Sequence, residues 1–303
     1  MRLYIQRTNV QGAWKWINEG YRKAWEQAGF DVIEYSDILE VDSQGEYDLM
    51  AWEYDIRNRQ QAMEVIGRAN RAYLYVQPNE YPAPWGNHPN WITSVADTMI
   101  KQINKMSNVH LWNFSSPDKD YFHKWKDVNE VPLAFDSISY IPEENKDYSD
   151  YDICFVGGWA NNGYNEKREI MINTFSKFID SKLKCGFFIN KGLTIQQECD
   201  LLRNSKMCLN IHDAYQRSLG FDTNERTFKS LGLNGLLVSD TVGQLTTLFP
   251  NVQTSLDTTQ VVNIVEEQLS LSDDVLDEIR YKNRKHILDN HCYTNRVRDF
   301  REL

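Results

Sequence analysis

The stretch DYDICFVGGWANNGYNEKREIM, residues 150–171, joins an apolar run to a helical pattern through a glycine pair. The run stops at Gly157 and Gly158, a polar loop follows, and Lys167 and Arg168 stand in the first turns of the helix predicted after it. Glycines let a ligand approach the backbone closely, and a helix N-terminus favours anions. The stretch therefore predicts the start of an α/β unit with a ligand-binding turn, although glycines also simply close a tight strand–helix turn.

Strand-like and helix-like segments alternate on both sides of a polar, aperiodic segment at residues 137–150. Such alternation favours parallel sheets covered by helices. We predict an α/β protein with two Rossmann-like domains facing across a cleft, at residues 1–136 and 151–303, with 137–150 as the linker. We allow for the last helix, around residues 294–303, to pack back onto the first domain.

Composition narrows the class of protein. The mean hydropathy is -0.59, and no apolar run approaches the roughly 18 residues of a membrane span. None of the five cysteines forms a Cys-x-x-Cys pair, so we expect a cytoplasmic, reduced protein without a metal cluster. The formal net charge of -10 argues against a general nucleic-acid binder, although a local basic cleft would escape such a count.

A second polar cluster follows a predicted strand in the second half. Neither the Gly-x-Gly-x-x-Gly fingerprint nor the Walker pattern is present, so the site is not a standard nicotinamide or P-loop site. Loops at the carboxyl ends of parallel strands are where binding residues collect. Asn224 and Glu225 also suit the start of a helix. The cluster consists of Asn210, His212, Arg217, Asn224, Glu225 and Arg226.

Five ordered segments resemble the CgeB-like glycosyltransferases of the two-domain GT-B type. They are VPLAFD (131–136), YDICFVGG (151–158), NIHD (210–213), NERTFKSLGLNGLLVSD (224–240) and HCYTNRVRDF (291–300). The resemblance covers most of the second half, whereas the first half matches in layout only. It implies a glycosyltransferase whose second domain grips the nucleoside diphosphate of an activated sugar and whose first domain mostly receives the acceptor.

One position departs from the family. Relatives commonly place a glutamate that binds the donor ribose where this chain has Lys229. A lysine ammonium only donates hydrogen bonds. We therefore expect Lys229 to point away and leave the ribose to Glu225 or backbone groups, or to meet an extra negative charge on the donor. On that hypothesis, Lys229→Glu leaves nucleotide-sugar binding intact or improves it.

The resemblance and the residue chemistry together give a predicted site. Phosphate contacts are assigned to Lys191, Arg217 and Arg226, since cations stabilise a diphosphate leaving group without a metal; no cofactor is expected besides the nucleotide-sugar co-substrate. Glu53, Asp55, His88 and Asp97 are candidate bases, and none of them stands out. The predicted residues are, as catalytic, His212, Arg217 and Asp97; as donor-binding, Gly157, Gly158, Lys191, Asn210, Asn224, Glu225, Arg226 and Lys229; and on the acceptor side, Gly12, Trp14, Trp85 and His88.

Two other functions stay open. A phage-type enzyme that glycosylates hydroxymethylated DNA bases would need a basic, aromatic-lined cleft despite the acidic total. A non-catalytic GT-B scaffold that binds sugar or nucleotide is suggested by Lys229. The acceptor is accordingly a glycan, a small molecule or modified DNA. We expect Trp85, in the proline-rich stretch 76–91, to line the acceptor side.

Overall fold

The computed structural model describes residues 1–8, 13–80, 94–115, 120–140, 148, 150–158 and 166–303. The predicted acceptor-side residues Gly12, Trp85 and His88 lie outside these ranges. The chain divides into two compact units: Met1–Pro132 with Tyr293–Leu303, and Leu133–Cys292. No helix among the described residues has the length and apolar character that a membrane crossing requires.

The first unit contains a parallel six-stranded sheet with the strand order β2-β1-β3-β4-β5-β6. Strand β1 pairs with β2 on one side and with β3 on the other, so the strand order reverses between β1 and β3. Its elements are β1 (Arg2–Gln6), α1 (Ala13–Gln27), β2 (Asp31–Tyr35), β3 (Asp48–Ala51), α2 (Arg59–Arg68), β4 (Ala72–Tyr75), α3 (Asp97–Ile103), β5 (Val109–Asn113) and β6 (Asn129–Glu130).

Helix α1 shows why the sequence pattern gives this packing. Its buried positions include Ile17, Tyr21, Ala24 and Trp25, which recur at intervals of three and four residues and so form one apolar stripe. After the helix ends, Gly29 adopts φ +88°, a left-handed conformation that glycine enters without a steric penalty. The spacing of apolar residues in this segment therefore explains which face of α1 is buried, and Gly29 explains how the chain leaves the helix.

The second unit contains a parallel five-stranded sheet with the order β11-β10-β9-β7-β8. Its first strand, β7, lies between β8 and β9, so the strand order reverses between β7 and β9. The elements are β7 (Ile153–Gly157), α4 (Glu166–Ile179), β8 (Cys185–Ile189), α5 (Ile195–Arg203), β9 (Met207–Asn210), α6 (Ala214–Leu219), α7 (Glu225–Leu233), β10 (Leu237–Ser239), α8 (Gly243–Leu248), β11 (Gln253–Thr254), α9 (Thr258–Leu269) and α10 (Asp273–Asn290). Two parallel-sheet, Rossmann-like units are thus present.

The last helix, α11 (Tyr293–Glu302), groups with the first unit. The ring of Tyr293 lies 4.7 Å from that of Tyr21, and Phe300 packs 5.0 Å from Trp112. A Cβ at Gly20 would lie 2.3 Å from the Tyr293 ring, so only glycine at that position of α1 allows the two helices to approach this closely.

Residues 133–136, which the sequence places in the first domain, group with the second unit. The backbone N–H of Phe135 donates to the carbonyl of His291 at 2.8 Å. A Cβ on Gly232 would lie 2.7 Å from the Phe135 ring, so the ring occupies the space that this glycine leaves. These contacts join residues far apart in the chain, and the local composition carries no sign of them.

Candidate functional site

The carboxyl ends of β7 and β9 form the switch point of the second sheet, where open α/β sheets bind their ligands. Gly157 ends β7, and Gly158 follows it. A Cβ would lie 2.1 Å from Arg226 Nη2 at Gly157 and 1.8 Å from Asn190 Oδ1 at Gly158. The glycine pair therefore makes room for two polar side chains at this edge.

Arg226 bridges the two diverging strands. Its Nε donates to the carbonyl of Val156 at 2.6 Å, and its Nη1 donates to Asn210 Oδ1 at 2.8 Å and to the carbonyl of Ile211 at 3.3 Å. The guanidinium also lies over the Phe155 ring, 4.7 Å from the centroid. Burial lowers the pKa of Arg226 from its ordinary value. Arg226 therefore links the carboxyl ends of β7 and β9 through hydrogen bonds and places a positive charge between them.

Lys167, in the first turn of α4, adds a second cation. Its Nζ lies 2.9 Å from Asp213 Oδ1, and its side chain is 12% exposed. Burial lowers the pKa of Lys167, Asp213 opposes this shift, and repulsion from Arg226 lowers the pKa further. Two cations that repel each other are thus held at one edge, and a bound anion would stabilise both.

His212, predicted to be catalytic, is fully buried. Its Nδ1 lies 2.6 Å from Asp240 Oδ1, and its Nε2 lies 2.8 Å from Thr223 Oγ1. Burial alone would raise the pKa of Asp240, but His212 and Arg217 lower it below its ordinary value. Because both ring nitrogens are engaged and no ring atom is exposed, this geometry suits a positioning residue rather than one that reacts with a substrate.

Arg217 lies on the other side of Asp240. Its Nε is 3.4 Å from Asp240 Oδ2, and its Nη2 donates to the carbonyl of Leu256 at 3.5 Å. Its Nη1 is buried without a hydrogen-bond partner among the described residues. The cavity beside it has a volume of about 10 Å³, which is close to the minimum for one water molecule and far too small for a nucleotide.

Lys229, which the sequence analysis expected either to point away from the ribose or to meet a negative charge on the donor, contacts two carboxylates of the protein. Its side chain is 6% exposed; its Nζ lies 3.1 Å from Glu198 Oε1 and also contacts Glu225 Oε1. The ammonium additionally lies 5.5 Å from the centroid of the Tyr140 ring. Burial by itself would lower the pKa of Lys229, but Glu225 and Glu198 raise it above its ordinary value. Lys229 is therefore a buried counter-ion for two carboxylates.

Asn224 is the N-cap residue of α7, as the sequence indicated, but its side chain makes no capping hydrogen bond. Its Nδ2 donates to the carbonyl of Ile211 at 3.4 Å, and its Oδ1 is buried without a hydrogen-bond partner in the described part of the chain. This oxygen is an unused acceptor two residues before Arg226 in the sequence. A ligand hydroxyl or N–H group at the edge would satisfy it.

Lys191 is exposed and follows Asn190, the residue directly after β8, which adopts φ +51°. In the first unit, Asp97 is exposed and lies 2.9 Å from Lys124 Nζ. The hydrogen bond from Lys124 lowers the pKa of Asp97, which makes Asp97 a weaker base than an unpaired carboxylate. Trp14 is partly exposed and packs 5.4 Å from Trp52.

Sequence reasoning missed Asp222, in the loop before α7. Its Oδ2 accepts a hydrogen bond from Gln216 Nε2 at 3.2 Å, and burial raises its pKa to about 6 from an ordinary value of 3.8. Between these two values the folded protein binds more protons than the unfolded chain, so this contribution to stability falls as the pH rises through that window.

We therefore expect Asp222→Asn to stabilise the protein at pH 7.5 by about 1–2 kcal/mol, since asparagine removes the partly buried charge and keeps an oxygen for Gln216. The gain should disappear near pH 4. Urea unfolding at both pH values measures it, with the exposed Asp180→Asn as the matched control. An equal effect of both substitutions at pH 7.5 would refute the burial of the Asp222 charge.

Sequence reasoning also missed three acidic partners of the basic residues described above. Asp240 contacts His212, Asp213 contacts Lys167, and Glu198 contacts Lys229. The sequence VSD (238–240) was a local signal for Asp240. A carboxylate directly after β10 lies at the same edge of the sheet as the residues after β9.

Solved structures with this architecture have the GT-B fold. Phage T4 BGT in complex with UDP-glucose is similar at a TM-score of 0.56 and 10% identity, over 100% of this chain and 99% of that one. An alpha-glucosyltransferase in complex with UDP and a 13-mer DNA containing an HMU base gives 0.62 and 10%, over 100% and 98%. The trehalose 6-phosphate synthase of Burkholderia multivorans gives 0.55 and 9%, over 98% and 78%. The predicted GT-B fold is confirmed.

Residues 162–302 match the family described as glycosyl transferase-like. The second half of the chain therefore carries a glycosyl transferase-like domain, in agreement with the glycosyltransferase resemblance of the ordered motifs. The match includes Lys167, Arg226 and the buried network around His212. No curated protein matches the chain.

Proposed function

We propose that the protein is a glycosyltransferase that moves a sugar from a nucleotide-sugar donor to an acceptor hydroxyl. The observation that carries the proposal is the pair of mutually repelling cations, Lys167 and Arg226, at the switch point of a glycosyl transferase-like domain. Asp213 already pairs with Lys167, and a further anion at this edge would stabilise both cations. The diphosphate of a nucleotide-sugar supplies one where such sheets bind ligands.

The chemistry follows from the charge that develops during transfer. The bond between the sugar C1 and the diphosphate breaks, and negative charge builds up on the leaving oxygen. Cations fixed in advance stabilise that charge without reorganisation. In this proposal Lys167 and Arg226 contact the diphosphate, while Lys191 stays a candidate for its outer side and Asn224 Oδ1 for a donor hydroxyl.

Glu225 is the best remaining acceptor for the ribose hydroxyls. It stands in the first turn of α7, next to Arg226, and its carboxylate is fixed by Lys229. A carboxylate held by a buried lysine still has lone pairs for hydroxyl donors. His212, Asn210 and Arg217 then hold the strand ends in place rather than contact the reacting atoms.

The first test is calorimetry with uridine, guanosine, adenosine and cytidine diphosphates, which asks whether the nucleotide site exists and which base it accepts. Several similar structures contain UDP or UDP-glucose, so UDP is the first ligand to try. Binding of none of the four would contradict the proposal. Binding without any release of nucleotide from the matching sugar conjugates would instead favour the non-catalytic scaffold.

Lys167→Met is expected to weaken nucleoside diphosphate binding by about 10–100-fold, because one charge-assisted hydrogen bond to phosphate is lost. Methionine keeps the length of the side chain and removes its charge. Lys177→Met, on the exposed side of the same helix, is the matched control and should bind as the wild type does. Equal affinities of the two variants would remove Lys167 from the site.

A second candidate is glycosylation of modified DNA. It is supported by similarity, over the whole chain, to an alpha-glucosyltransferase in complex with DNA, and opposed by the net charge of -10. Transfer of labelled sugar to duplexes containing hydroxymethylated bases, with affinity that falls steeply as salt rises, would favour it.

A further inference from the structure

The carboxyl end of β1 carries a side chain that fixes the start of the next loop. Gln6 is 5% exposed, and its Oε1 accepts hydrogen bonds from the backbone N–H groups of Trp52 and Glu53, both at 2.8 Å. Its Nε2 donates to the carbonyl of Glu53 at 2.9 Å. The indole N–H of Trp52 also donates to the carbonyl of Gln6 at 2.7 Å. Four hydrogen bonds therefore hold Trp52 and Glu53 directly after β3.

This clamp lies at the switch point of the first sheet, where β1 and β3 are neighbours and the strand order reverses. Glu53 is exposed there. Its carboxylate makes no hydrogen bond or ion pair to the described residues, whereas its backbone is held on both sides. A fixed backbone with an unengaged carboxylate at a ligand-binding edge is the arrangement that a general base needs.

The other acidic candidates in the first unit are already engaged. Asp55, with 6% of its side chain exposed, lies 2.6 Å from Arg59 Nε and accepts the backbone N–H of Ala96 at 2.7 Å. Asp97 is paired with Lys124. Glu53 is thus distinguished from its neighbours by the geometry around it.

Aromatic rings adjoin the clamp. Trp52 is partly exposed, and its ring lies 5.4 Å from that of Trp14 and 6.3 Å from that of Tyr75. Partly exposed indoles offer an apolar face to a sugar ring, while a neighbouring carboxylate accepts its hydroxyl hydrogens. An exposed carboxylate disfavours a polyphosphate strand at the same place, so the edge suits a carbohydrate better than DNA.

We infer that Glu53, positioned by Gln6, is the general base of the proposed transfer and acts on a carbohydrate hydroxyl that packs against Trp52. The inference rests on the proposed function. The acceptor O–H bond breaks and its proton passes to the Glu53 carboxylate. The oxygen forms a bond to C1 of the donor sugar while the bond from C1 to the diphosphate breaks, and the diphosphate leaves with that electron pair. A single displacement of this kind inverts the configuration at C1.

The test uses two nucleophiles on full-length protein: water, which must lose a proton, and azide, which carries none. The donor is the glucose conjugate of whichever nucleotide binds in calorimetry, and nucleotide release is measured with and without sodium azide. Glu53→Ala should slow hydrolysis by about 100-fold to 10,000-fold and leave the azide reaction within a few-fold of the wild type. The glycosyl azide should have the inverted configuration.

Glu34→Ala, an exposed acidic residue on β2, is the matched control and should change neither reaction. An equal loss of both reactions in Glu53→Ala would show a structural role and overturn the inference, as would unchanged hydrolysis. Wild-type protein that binds no nucleoside diphosphate would instead contradict the proposed function itself. Productive transfer to hydroxymethylated DNA, with no carbohydrate accepted, would overturn the assignment of the acceptor class.

Discussion

Lys229→Ala is expected to lower the free energy of unfolding by about 3–5 kcal/mol, because removing one partner of a buried ion pair leaves the other charge uncompensated. Lys229 is 5% exposed and Glu198 is 9% exposed, and the ammonium also contacts Glu225. Two carboxylates would then face each other in a site with little water. Urea unfolding followed by circular dichroism measures the change.

Two further variants separate charge from packing. Lys229→Glu should destabilise more than the alanine variant, because it places a third carboxylate beside Glu198 and Glu225. The double variant Lys229→Met with Glu198→Gln should recover part of the loss, since it removes one carboxylate and keeps the volume. The exposed Lys182→Ala is the matched control. A loss of stability in Lys229→Ala no larger than in this control would show that the ion pairs of Lys229 with Glu198 and Glu225 contribute nothing to folding.

The sequence-based expectation that Lys229→Glu leaves nucleotide-sugar binding intact or improves it stays a prediction. That hypothesis had Lys229 either point away from the ribose or meet an extra negative charge on the donor. The structure adds a cost in stability, because the substitution also removes the buried counter-ion of Glu198, which is 31 residues away in the chain.

The fold could be predicted because its signals are local. The buried stripe of α1 repeats at helical spacing, and the apolar run before Gly157 ends where β7 ends. Each signal lies within one element, and the alternation of elements restricts the topology to parallel sheets. The family followed from the order of short motifs, most of them within one strand–loop–helix segment each.

The site could be predicted only as far as its residues follow strand ends. Gly157, Asn210 and Arg226 lie at the carboxyl edge as expected, but their sequence does not show what each one contacts. His212 meets Asp240 across 28 residues. Whether a polar side chain faces a ligand or a buried partner depends on such tertiary contacts, and a single sequence contains no local record of them.

The same limit applied to the candidate bases. Glu53, Asp55 and Asp97 were equivalent in sequence, since each is an acidic residue in or after a loop. The structure separates them through Gln6, 47 residues from Glu53, and through the cations that engage the other two carboxylates.

Arg226→Ala is expected to have two separable effects. It leaves the carbonyl of Val156 and Asn210 Oδ1 without their donor, and unpaired buried groups cost about 1–3 kcal/mol each. It also removes a charge-assisted contact to the proposed diphosphate, which should weaken binding by about 10–100-fold. Urea unfolding measures the first effect, and calorimetry with the nucleoside diphosphate measures the second.

Arg226→Lys distinguishes the two roles. A lysine keeps the positive charge near Lys167 but lacks the planar fork that reaches Val156 and Asn210 together. This variant should therefore be destabilised almost as much as Arg226→Ala while retaining more of the nucleotide affinity. Arg298→Ala, an exposed arginine on α11, is the matched control. If both Arg226 variants are destabilised but bind the nucleotide as tightly as the control does, Arg226 only fastens β7 to β9, and the diphosphate must be held by Lys167 and the other groups at this edge.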